Sequence, residues 1–531
     1  MKDDNNTGTS LFLAGIIICG LLFCMIHGFV YGLLIRQPAT KAEQIFWQHF
    51  VTGSLTGIEK LSVILVFILF VTGALVILWL FKMPHIQNLG LLKNRFTSYK
   101  GTASWASLSD YSKLLGSDGF LLGKLGFRQV RLSKKASYEH LMVVGPTGCG
   151  KTSSFIIPNI LSLSEGWSVV VSDPKGEIAA VTEQHLKNRG WNILKFNPTN
   201  PDQTDKYNPL LVAKDEVEIA EIAEIILRNC YSAAGNAGDS QWVTFSLPLW
   251  EYCLLVEKYT SSKRPPSVQG AFSIAINWDE PSREQMARAL GGKALTAYKI
   301  YCQSLNSPET AASIRTVLTS CVKLFTRSDI EQSTSRDSFY PVELRQKPTA
   351  LFFQIPERKS ELMKPFMATM YWQLMEHIID TPGLPVMFLL DEFANIGKIP
   401  GFAQMAATVR SRNIALCIIL QDIGQLSREY SREEQKDIVN NMKTKMFYPG
   451  LTGETGELCQ QAAGHTTVSS NKFAFLNFSK DPHTWESRPL ITPDELRRIP
   501  DGYALILAHN ANPLLIQTVP YFKKSLIKFF G

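Results

Sequence analysis

Eight residues in the first third of the chain have the types and spacing of a phosphate-binding loop. The stretch GPTGCGKT fits the pattern GxxxxGKS/T, follows an apolar run typical of a strand and precedes a predicted helix. Its glycines let backbone N–H groups close around phosphates, its lysine can reach the β- and γ-phosphates, and its last hydroxyl can hold Mg²⁺. We therefore predict an ATP site, with Lys151 acting in catalysis. The predicted nucleotide-binding residues of the loop are Gly145, Pro146, Thr147, Gly148, Cys149, Gly150, Lys151 and Thr152.

A pair of acids follows another apolar run, in the stretch VMFLLDE. A phosphate-binding loop needs a carboxylate at the end of a neighbouring strand, and Asp391 is well suited to join Thr152 in holding Mg²⁺. Glu392 follows directly and is suited to activating the attacking water. Acids at the end of a strand are common, so the prediction depends on the apolar run before them and on the loop upstream. Together these features indicate an ATPase.

The stretch ALCIILQ places a glutamine at the end of a further apolar run, one predicted helix after the acids. Gln421 can sense a γ-phosphate or orient the attacking water, and we predict a role in the site rather than on the surface. The preceding stretch TVRSRNIAL contains Arg410 and Arg412, where a helix is expected to meet the strand. Either arginine could act in the site of a neighbouring subunit, and solvated surface residues are the alternative.

Two further stretches flank the predicted site. In VVVSDPKGEI, Asp173 and Lys175 follow a predicted strand at the same sheet edge as the loop, so a turn and a role beside the nucleotide both fit them. In FIIPN, Pro158 cannot donate an N–H to the carbonyl of Ser154. The helix that begins near Gly150 should therefore kink or end within about two turns.

The composition is that of a globular protein with several modules. The chain has 531 residues, of which 45% are hydrophobic and 19% charged, so it is neither disordered nor fibrous, and we expect two or three modules. The net charge of +7 permits contact with nucleic acid or anionic lipid without identifying either. The nine cysteines form no CxxC pair and no Cys/His cluster at zinc spacing, which indicates a reducing compartment without structural disulfides.

Two apolar runs near the N-terminus are predicted to cross a membrane. Residues 11–35 and 61–81 contain no Lys, Arg, Asp or Glu, and at ~1.5 Å per residue each can cross a hydrocarbon core of ~30 Å. The length of the first run and the two aspartates before it favour a retained span over a cleaved signal peptide. Residues 82–100 carry four basic residues and no acid, so the positive-inside rule places the following body in the cytoplasm. We predict a two-pass membrane protein.

After residue 100 the pattern changes to short apolar runs separated by polar helices, as in an α/β domain. Several runs are continuously apolar, as a parallel sheet covered on both faces requires. From 210 to 340 helical periodicity replaces the strand pattern, so we predict an all-α domain, 210–340, inserted into an α/β nucleotide-binding domain of residues 101–209 and 341–531. Residues 1–100 form the predicted membrane domain. The predicted strands are 141–144, 167–173, 191–197, 349–356, 386–392, 415–421, 445–450 and 503–510.

Several stretches resemble, in this order, one family: the type IV secretion coupling proteins, which include the TraG/TraD-like ATPases of bacterial conjugation. The stretches are the two predicted spans, GPTGCGKTSSFIIPNIL, SDPKGEI, FNPTNPDQTDKYNPL, FLLDEFANIGKIPGFAQMAATVRSRNIALCIILQDIGQL and DIVNNMKTKMFYPGL. The resemblance implies a RecA-like P-loop NTPase domain that carries an all-α domain, assembled as a homohexamer at the inner face of a secretion channel. It also implies the bacterial inner membrane as location, channel components as partners, and relaxase-bound single-stranded DNA or effector proteins as cargo.

Residue by residue, the resemblance gives the loop Gly145–Thr152 and the pair Asp391 and Glu392 the roles predicted above. Gln421 matches the glutamine of the family's third motif, and Arg412 falls where members place an arginine that acts on a neighbouring subunit. The sequence departs from the pattern after the last predicted strand, where it shows no long, often acidic extension of the kind that some members use for docking. We therefore expect cargo recognition in the helical insert.

Two alternatives are open for the function. In the first, the protein is a docking receptor in which the nucleotide works as a conformational switch and other ATPases of the channel supply the work. In the second, it is a double-stranded DNA translocase of the FtsK type, which usually brings more membrane spans and a C-terminal winged-helix reader. Neither of those two features is visible in the sequence, and every residue type for hydrolysis is present. We therefore predict an active ATPase that drives substrate transfer.

Overall fold

The computed structural model describes residues 26–27, 29–68, 101–233, 241–305, 307–469 and 485–523. The chain divides into two compact units, Met1–Arg95 and Phe96–Gly531.

In the first unit, the helices Ala39–Thr52 and Gly57–Ile68 follow one another with a bend of 110°. The first of them ends at Gly53, which has a left-handed φ of 69°. Among the described residues, no single helix is long and apolar enough to cross a membrane, whereas this bent pair satisfies both requirements when taken together. Most of each predicted span, residues 11–25 and 69–81, lies outside the described part of the chain.

The second unit is built on a mixed sheet of eleven strands, and a separate pair of strands lies beside its helices. The strands are β1 Leu121–Leu125, β2 Arg128–Arg131, β3 Leu141–Val144, β4 Ser168–Ser172, β5 Asn192–Phe196, β6 Thr349–Phe353, β7 Val386–Leu390, β8 Ile414–Leu420, β9 Thr444–Phe447, β10 His465–Ser469, β11 Trp485–Pro489, β12 Tyr503–Ala508 and β13 Leu514–Gln517. The large sheet has the order β2-β1-β13-β12-β9-β3-β8-β7-β4-β6-β5, and β10 pairs with β11. From β9 to β5 the strands run parallel, and from β12 to β2 each pairs with its neighbour in antiparallel fashion.

All eight strands predicted from the sequence are present, as β3 to β9 and β12, with ends that agree to within three residues. Strands β1, β2, β10, β11 and β13 were not predicted from the sequence. Two of these show why: β1 has the sequence LLGKL, which is interrupted by Gly123, and β2 has the sequence RQVR, with an arginine at each end. Neither is the continuous apolar run that marks a strand buried on both faces. The parallel part predicted from the apolar runs is present, and four antiparallel strands extend the sheet at one side.

Helices cover both faces of the parallel strands. In β4, Val169 and Val171 belong to one apolar core and Val170 belongs to the opposite one, as the two-residue period of a strand requires. The first core also contains Phe155, from the helix after the phosphate-binding loop. The second contains Ile222, from the helical region between β5 and β6. The loop helix and the helical region therefore lie on opposite faces of the sheet.

Between β5 and β6, the described residues form helices and connecting loops without any strand. Ile219, Ile222 and Ile226 recur at helical spacing in this region and are fully buried. Their helix, Glu216–Ala233, packs along the long helix Glu357–Ile379 that follows β6. The helices of this unit are Lys134–Ser137, Ile157–Leu161, Glu177–Asn188, Pro209–Val212, Glu216–Ala233, Gln241–Thr260, Val268–Asn277, Glu280–Leu290, Gly292–Gln303, Pro308–Val322, Ser328–Ser333, Glu343–Gln346, Glu357–Ile379, Phe402–Val409, Arg432–Asn441, Gly453–Ala463 and Pro493–Arg497.

The helix after the phosphate-binding loop contains the irregularity expected from Pro158. Thr152–Ile156 forms a π-helical turn, which Ile157 closes by donating its N–H to the carbonyl of Thr152, and an α-helix follows over Ile157–Leu161. Pro158 lies in the first turn of that α-helix, directly after the π-helical turn, which accommodates the missing N–H of the proline within a continuous helix. The helix therefore continues beyond the proline, and the departure from α geometry comes before it.

Asn159, the next residue, attaches this helix to β1. Its carboxamide accepts the N–H of Leu121 at 2.7 Å and donates to the carbonyl of Leu121 at 2.9 Å. It also donates to the carbonyl of Phe155, one turn earlier in its own helix, at 2.9 Å. Asn159 is fully buried, so removing it would leave both backbone groups of Leu121 without their partner and away from water. The FIIPN stretch thus fixes the loop helix to the sheet.

Candidate functional site

Four neighbouring strands of the parallel sheet end beside residues that the sequence analysis identified. The order β3, β8, β7, β4 is continuous in the sheet, and these strands lead into Gly145, Gln421, Asp391 and Asp173. In an open α/β sheet, ligands bind beyond the carboxyl ends of the strands. The fold therefore brings the loop, the acid pair and the glutamine to one edge.

The glycines of the loop are needed for two different reasons. Gly148 and Gly150 have φ values of 81° and 91°, in the left-handed region that favours glycine, and a Cβ atom at Gly148 would meet nothing within 4 Å. A Cβ atom at Gly145 would instead lie 2.6 Å from Sγ of Cys149 and 2.7 Å from Cβ of Tyr448. The outer part of the loop thus lets a ligand approach the backbone, and its base is packed without space.

Lys151 is only 7% exposed, and its ammonium group lies against the loop. Nζ donates to the carbonyl of Gly145 at 2.5 Å and to that of Pro146 at 3.2 Å. Its positive charge also reaches Asp391, whose ionised form it favours. The positively charged ammonium group of Lys151 therefore lies between the loop and the acid pair, where phosphate oxygens would accept its hydrogen bonds.

Tyr448, which the sequence analysis did not single out, supports the loop helix. It is 1% exposed, its hydroxyl lies 3.0 Å from Oγ of Ser154, and its N–H donates to the carbonyl of Val144 at 2.9 Å. Because the Ser154 hydroxyl donates to the carbonyl of Gly150 at 2.7 Å, the tyrosine is the donor in their contact. The signal in the sequence was a tyrosine within the predicted strand KMFYPG.

The surroundings of Asp391 disfavour its ionised form when no cation is bound beside it. Burial and, to a smaller extent, the carboxylate of Glu392 raise the pKa of Asp391 to about 7, and the ammonium of Lys151 opposes both. A bound cation favours the ionised form of a carboxyl group, so this acid gains most when a cation is next to it. Glu392 has a left-handed φ of 51°, and its N–H donates to Oδ1 of Asp391 at 3.2 Å. Such a backbone is uncommon outside glycine and often marks a functional site.

Gln421 contacts Glu392 directly. Its Nε2 donates to Oε1 of Glu392 at 2.8 Å, and its own N–H donates to Oε1 of Gln425 at 3.0 Å. The two strands that precede them, β7 and β8, are neighbours in the sheet. The carboxylate of Glu392 is therefore held toward the end of β8 by a neutral donor, which leaves its negative charge available.

Asp173 forms the turn at the end of β4. Its carboxylate accepts the N–H groups of Ile178 at 3.1 Å and Ala179 at 2.9 Å, at the start of the helix Glu177–Asn188. Burial raises the pKa of Asp173, while these bonds favour its ionised form. The Asp173 side chain therefore stabilises a turn, which is one of the two interpretations that fit this stretch. The negative charge of Asp173 also contributes to raising the pKa of Asp391.

Arg410 and Arg412 lie at the opposite edge of the sheet, before β8. The side chain of Arg412 is 50% exposed, with Asp380 at 3.8 Å, and Arg410 pairs with Glu139. β8 has seven residues and is ~20 Å long at ~3.3 Å per residue, and it separates Arg412 from Gln421. The structure therefore does not bring Arg412 to the acid pair of its own chain.

The donors at the edge fit a magnesium ion held with a nucleotide. Within the described residues, no three or more His, Cys, Asp or Glu side chains are grouped to hold a metal ion. Mg²⁺ does not need such a group here, since it keeps several waters and binds through one or two carboxylates together with phosphate oxygens. The hydroxyl of Thr152, at the start of the loop helix, and the carboxylate of Asp391 are the oxygen donors of the required type.

Comparison with known proteins identifies the family of this α/β protein. Residues 95–530 match the family described as Type IV secretory system Conjugative DNA transfer, which covers most of the chain. The chain therefore belongs to this family, the type IV secretion coupling proteins related to VirD4, TraG and TrwB. The resemblance found in the sequence is confirmed.

Individual relatives are similar at low identity. The protein VirD4 of Rhizobium rhizogenes is 23% identical over 464 residues, which cover 82% of this chain and 67% of that protein. The conjugal transfer protein TraG of Escherichia coli is 26% identical over 409 residues, which cover 68% of this chain and 62% of that protein. The chain thus spans about two thirds of the length of these relatives.

Solved structures with the same fold include a bacterial conjugative coupling protein, TrwBdeltaN70, in its unbound monoclinic form. Its TM-score is 0.59 at 17% identity, and the match covers 79% of this chain and 93% of that one. TrwB in complex with ADP and Mg²⁺ also has a TM-score of 0.59, at 16% identity, over 79% of this chain and 93% of that one. At these identities the likeness shows the fold, and the α/β prediction is confirmed as a TrwB-like fold with a mixed sheet.

Proposed function

We propose that this protein is a membrane-anchored ATPase that couples cargo to a type IV secretion or conjugation channel. The observation that carries the proposal is the hydrogen bond of 2.8 Å between Gln421 and Glu392. This bond lies at the edge of the sheet where β3 leads into the phosphate-binding loop. A carboxylate that a neutral donor orients at the same sheet edge as a phosphate-binding loop is suited to accept a proton from the attacking water.

Each side chain of the edge has one task in this proposal. The loop backbone and Lys151 bind the phosphates, and Thr152 and Asp391 hold Mg²⁺. When bound, magnesium ATP supplies a γ-phosphoryl group for transfer to water, and the ion neutralises the charge that develops. Glu392 accepts a proton from the attacking water at Oε1 or Oε2. Gln421 keeps that carboxylate in one orientation, so that it need not be reoriented during the reaction.

The proposed assembly is a homohexamer in which Arg412 acts on the neighbouring subunit. Its half-exposed side chain and its place at the opposite edge of the sheet support a role outside its own chain. An arginine supplied in this way stabilises the charge on the transferred phosphoryl group. Hydrolysis would then depend on contact between subunits.

The proposed architecture is a RecA-like nucleotide-binding domain with the all-α insert 210–340, anchored in the bacterial inner membrane by the spans 11–35 and 61–81. The helical content of the described residues between β5 and β6 supports the insert. The bent apolar pair near the N-terminus supports an association with the membrane. The proposed cargo is relaxase-bound single-stranded DNA or an effector protein, which the chain would pass to channel components. The names of the conjugal transfer relatives support this direction.

Two variants test the proposed function, with membrane insertion and cargo transfer measured in cells and ATPase activity measured on purified full-length protein. Lys151→Ala removes the phosphate-binding cation, and Glu392→Gln removes the base while keeping a side chain of the same shape. Both should abolish ATP hydrolysis stimulated by single-stranded DNA and abolish transfer, and both proteins should still insert into the membrane.

The same experiment separates the alternatives. Transfer that persists in Glu392→Gln but is lost in Lys151→Ala would favour a docking receptor that needs bound ATP and not its hydrolysis. Stimulation by double-stranded and not by single-stranded DNA would favour a translocase of the FtsK type. Normal transfer by both variants would exclude a motor at this site.

A further inference from the structure

A buried asparagine from the helical region holds the segment that follows Glu392. Asn229 lies in the helix Glu216–Ala233 and is 1% exposed. Its Oδ1 accepts the N–H of Lys398 at 2.7 Å, and its Nδ2 donates to the carbonyl of the same residue at 2.9 Å. Nδ2 also donates to the carbonyl of Ile225, one turn earlier in its own helix, at 2.9 Å. The carboxamide is therefore fixed to its helix and bonded to both backbone groups of Lys398.

Gly397 makes this close approach possible. It has a φ of 93°, and a Cβ atom there would lie 2.5 Å from Oδ1 of Asn229 and 3.0 Å from Cβ of Lys364. Lys364 belongs to the helix Glu357–Ile379, which packs along the helix of Asn229. The segment after Glu392 therefore passes between two helices at a point that has no space for a side chain.

The segment that follows Gln421 supports the same residues from another side. The hydroxyl of Tyr430 accepts the N–H of Ile399 at 3.1 Å, and its ring lies parallel to that of Phe393, with centroids 6.0 Å apart. The two segments are thus joined near their strands, by Gln421 and Glu392, and again several residues later, by these contacts. These contacts leave the segment after Glu392 little freedom to move independently of the segment after Gln421.

We propose that Asn229 is a positioning residue for Glu392, and that through it the helical region between β5 and β6 sets the rate of ATP hydrolysis. A short 3₁₀ helix, Phe393–Ile396, and Gly397 are all that separate Glu392 from Lys398. Because this connection is short and helical, a displacement of Lys398 displaces Glu392 and its bond to Gln421. The phosphate-binding loop follows a different strand, so Lys151 and the backbone groups that bind the phosphates are not displaced. This inference rests on the proposed ATPase function and concerns how the helical region controls the ATPase site.

The test is the steady-state kinetics of Asn229→Ala in the purified full-length protein. We expect kcat for ATP to fall between ~10-fold and ~100-fold, because small misplacements of catalytic groups reduce turnover by such factors. KM should stay within about twofold of the unmodified value. Binding of a fluorescent ATP analogue should be unchanged, because Lys151 and its loop are not touched. A general loss of structure would instead weaken binding and turnover together.

Asn208→Ala is the matched control. Asn208 is also fully buried and also makes three side-chain hydrogen bonds, accepting from the N–H groups of Leu210 and Leu211 and donating to the carbonyl of Pro266. Its removal should lower the free energy of unfolding by a similar amount and leave kcat within about twofold of the unmodified value. An equal fall of kcat in both variants would show general destabilisation and overturn the positioning role.

Gly397→Ala disrupts the same connection, because its added Cβ atom would clash with Oδ1 of Asn229. This variant replaces the first one if Asn229→Ala does not fold. Alone, it should also lower kcat and spare KM. Combined with Asn229→Ala, it should lower kcat little further, because both changes break one connection and their effects are then not additive. Absence of ATPase activity in the unmodified protein would refute the proposed function itself. Activity that is present and unchanged in Asn229→Ala and Gly397→Ala would refute only the inference drawn from Asn229.

Discussion

The amide of Gln421 donates a hydrogen bond of 2.8 Å to the carboxylate of Glu392, across the ends of the neighbouring strands β8 and β7. The donor is neutral, so it fixes the orientation of the carboxylate without neutralising the charge that makes it a base. A glutamine at this position can therefore affect hydrolysis without contact to the nucleotide. Its effect should appear in turnover and not in binding.

Gln421→Ala should lower kcat for ATP by about tenfold while KM changes little, because the base remains and only its orientation is lost. Glu392→Gln should lower kcat more, by ~10² to ~10⁴, because the base itself is removed. Both values come from steady-state hydrolysis by purified protein, with the affinity for a fluorescent ATP analogue measured beside them. An unchanged kcat in Gln421→Ala would mean that the hydrogen bond has no part in the reaction.

The two arginines before β8 should differ in their effect on hydrolysis. The Arg412 side chain is half exposed and lies 3.8 Å from the exposed Asp380, whereas Arg410 pairs with Glu139 of its own chain. We expect Arg412→Ala to abolish hydrolysis and spare nucleotide binding, and Arg410→Ala to retain hydrolysis. The measurement is ATPase activity of the assembled full-length protein.

Mixed assemblies test whether Arg412 acts on a neighbour. Arg412→Ala subunits keep an intact phosphate-binding loop, and Lys151→Ala subunits keep an intact arginine. If the arginine acts across the interface, mixing the two inactive proteins restores part of the activity, because some interfaces then combine an intact loop with an intact arginine. Mixtures that stay inactive would argue for a role within one chain.

The parts of the fold and site that could be predicted are those in which one short stretch contains the whole signal. Strands β3, β4, β6, β7 and β8 were recognisable because continuous apolar runs mark strands buried on both faces. The loop and the acids after β7 were recognisable because they follow such runs directly. Gln421 could be placed in the site for the same reason, since neighbouring parallel strands end at one edge.

The contacts that could not be predicted join distant parts of the chain. Asn229 and Lys398 are 169 residues apart, and Ser154 and Tyr448 are 294 residues apart. A single buried asparagine or tyrosine has no periodicity, so its partner depends on how helices and strands pack and not on local spacing. Strands β1 and β2 were missed because they contain glycine or charged residues, and β1 also pairs with β13, which is distant in the sequence.

Tyr448→Phe should loosen the phosphate-binding loop. It removes the hydroxyl that donates to Ser154, which in turn holds the carbonyl of Gly150, so we expect the free energy of unfolding to fall by ~0.5–1.5 kcal/mol. The affinity for ATP should fall as well, up to about tenfold if ~1.4 kcal/mol is lost from the bound state. Urea unfolding and titration with a fluorescent ATP analogue measure the two effects.

Tyr371→Phe is the control for this prediction. Tyr371 is fully buried, and its hydroxyl lies 2.7 Å from Oγ of Ser172, in β4. The change should cost a similar free energy of unfolding without altering the affinity for ATP, because it touches no part of the loop. Equal losses of affinity in the two variants would show that stability alone, and not the loop, determines binding.

Stability in mild acid should depend on His140, which is 2% exposed. Its Nε2–H donates to the carbonyl of Ala406 at 2.6 Å, and its Nδ1 accepts the N–H of Leu416 at 3.2 Å, so both bonds need the neutral ring. Burial, helped by the nearby Arg410 and opposed by the bond to Ala406, lowers the pKa of His140 from 6.5 to about 4. The neutral ring therefore contributes stability that is complete above pH 6.5 and is lost as the pH falls through about 4.

The expected loss from His140 is ~2 kcal/mol between about pH 7.5 and about pH 5, because the unfolded chain takes up a proton there and the folded protein does not. His140→Asn removes the titrating ring, and asparagine tolerates the left-handed φ of 67° at this position. We expect the variant to be less stable than the unmodified protein near pH 7.5, since hydrogen bonds are lost, and to lose less further stability on acidification. Urea unfolding at both pH values measures the two slopes, and comparison between the proteins cancels the contribution of other groups. Equal slopes would show that His140 does not control the acid response, whatever its effect at neutral pH.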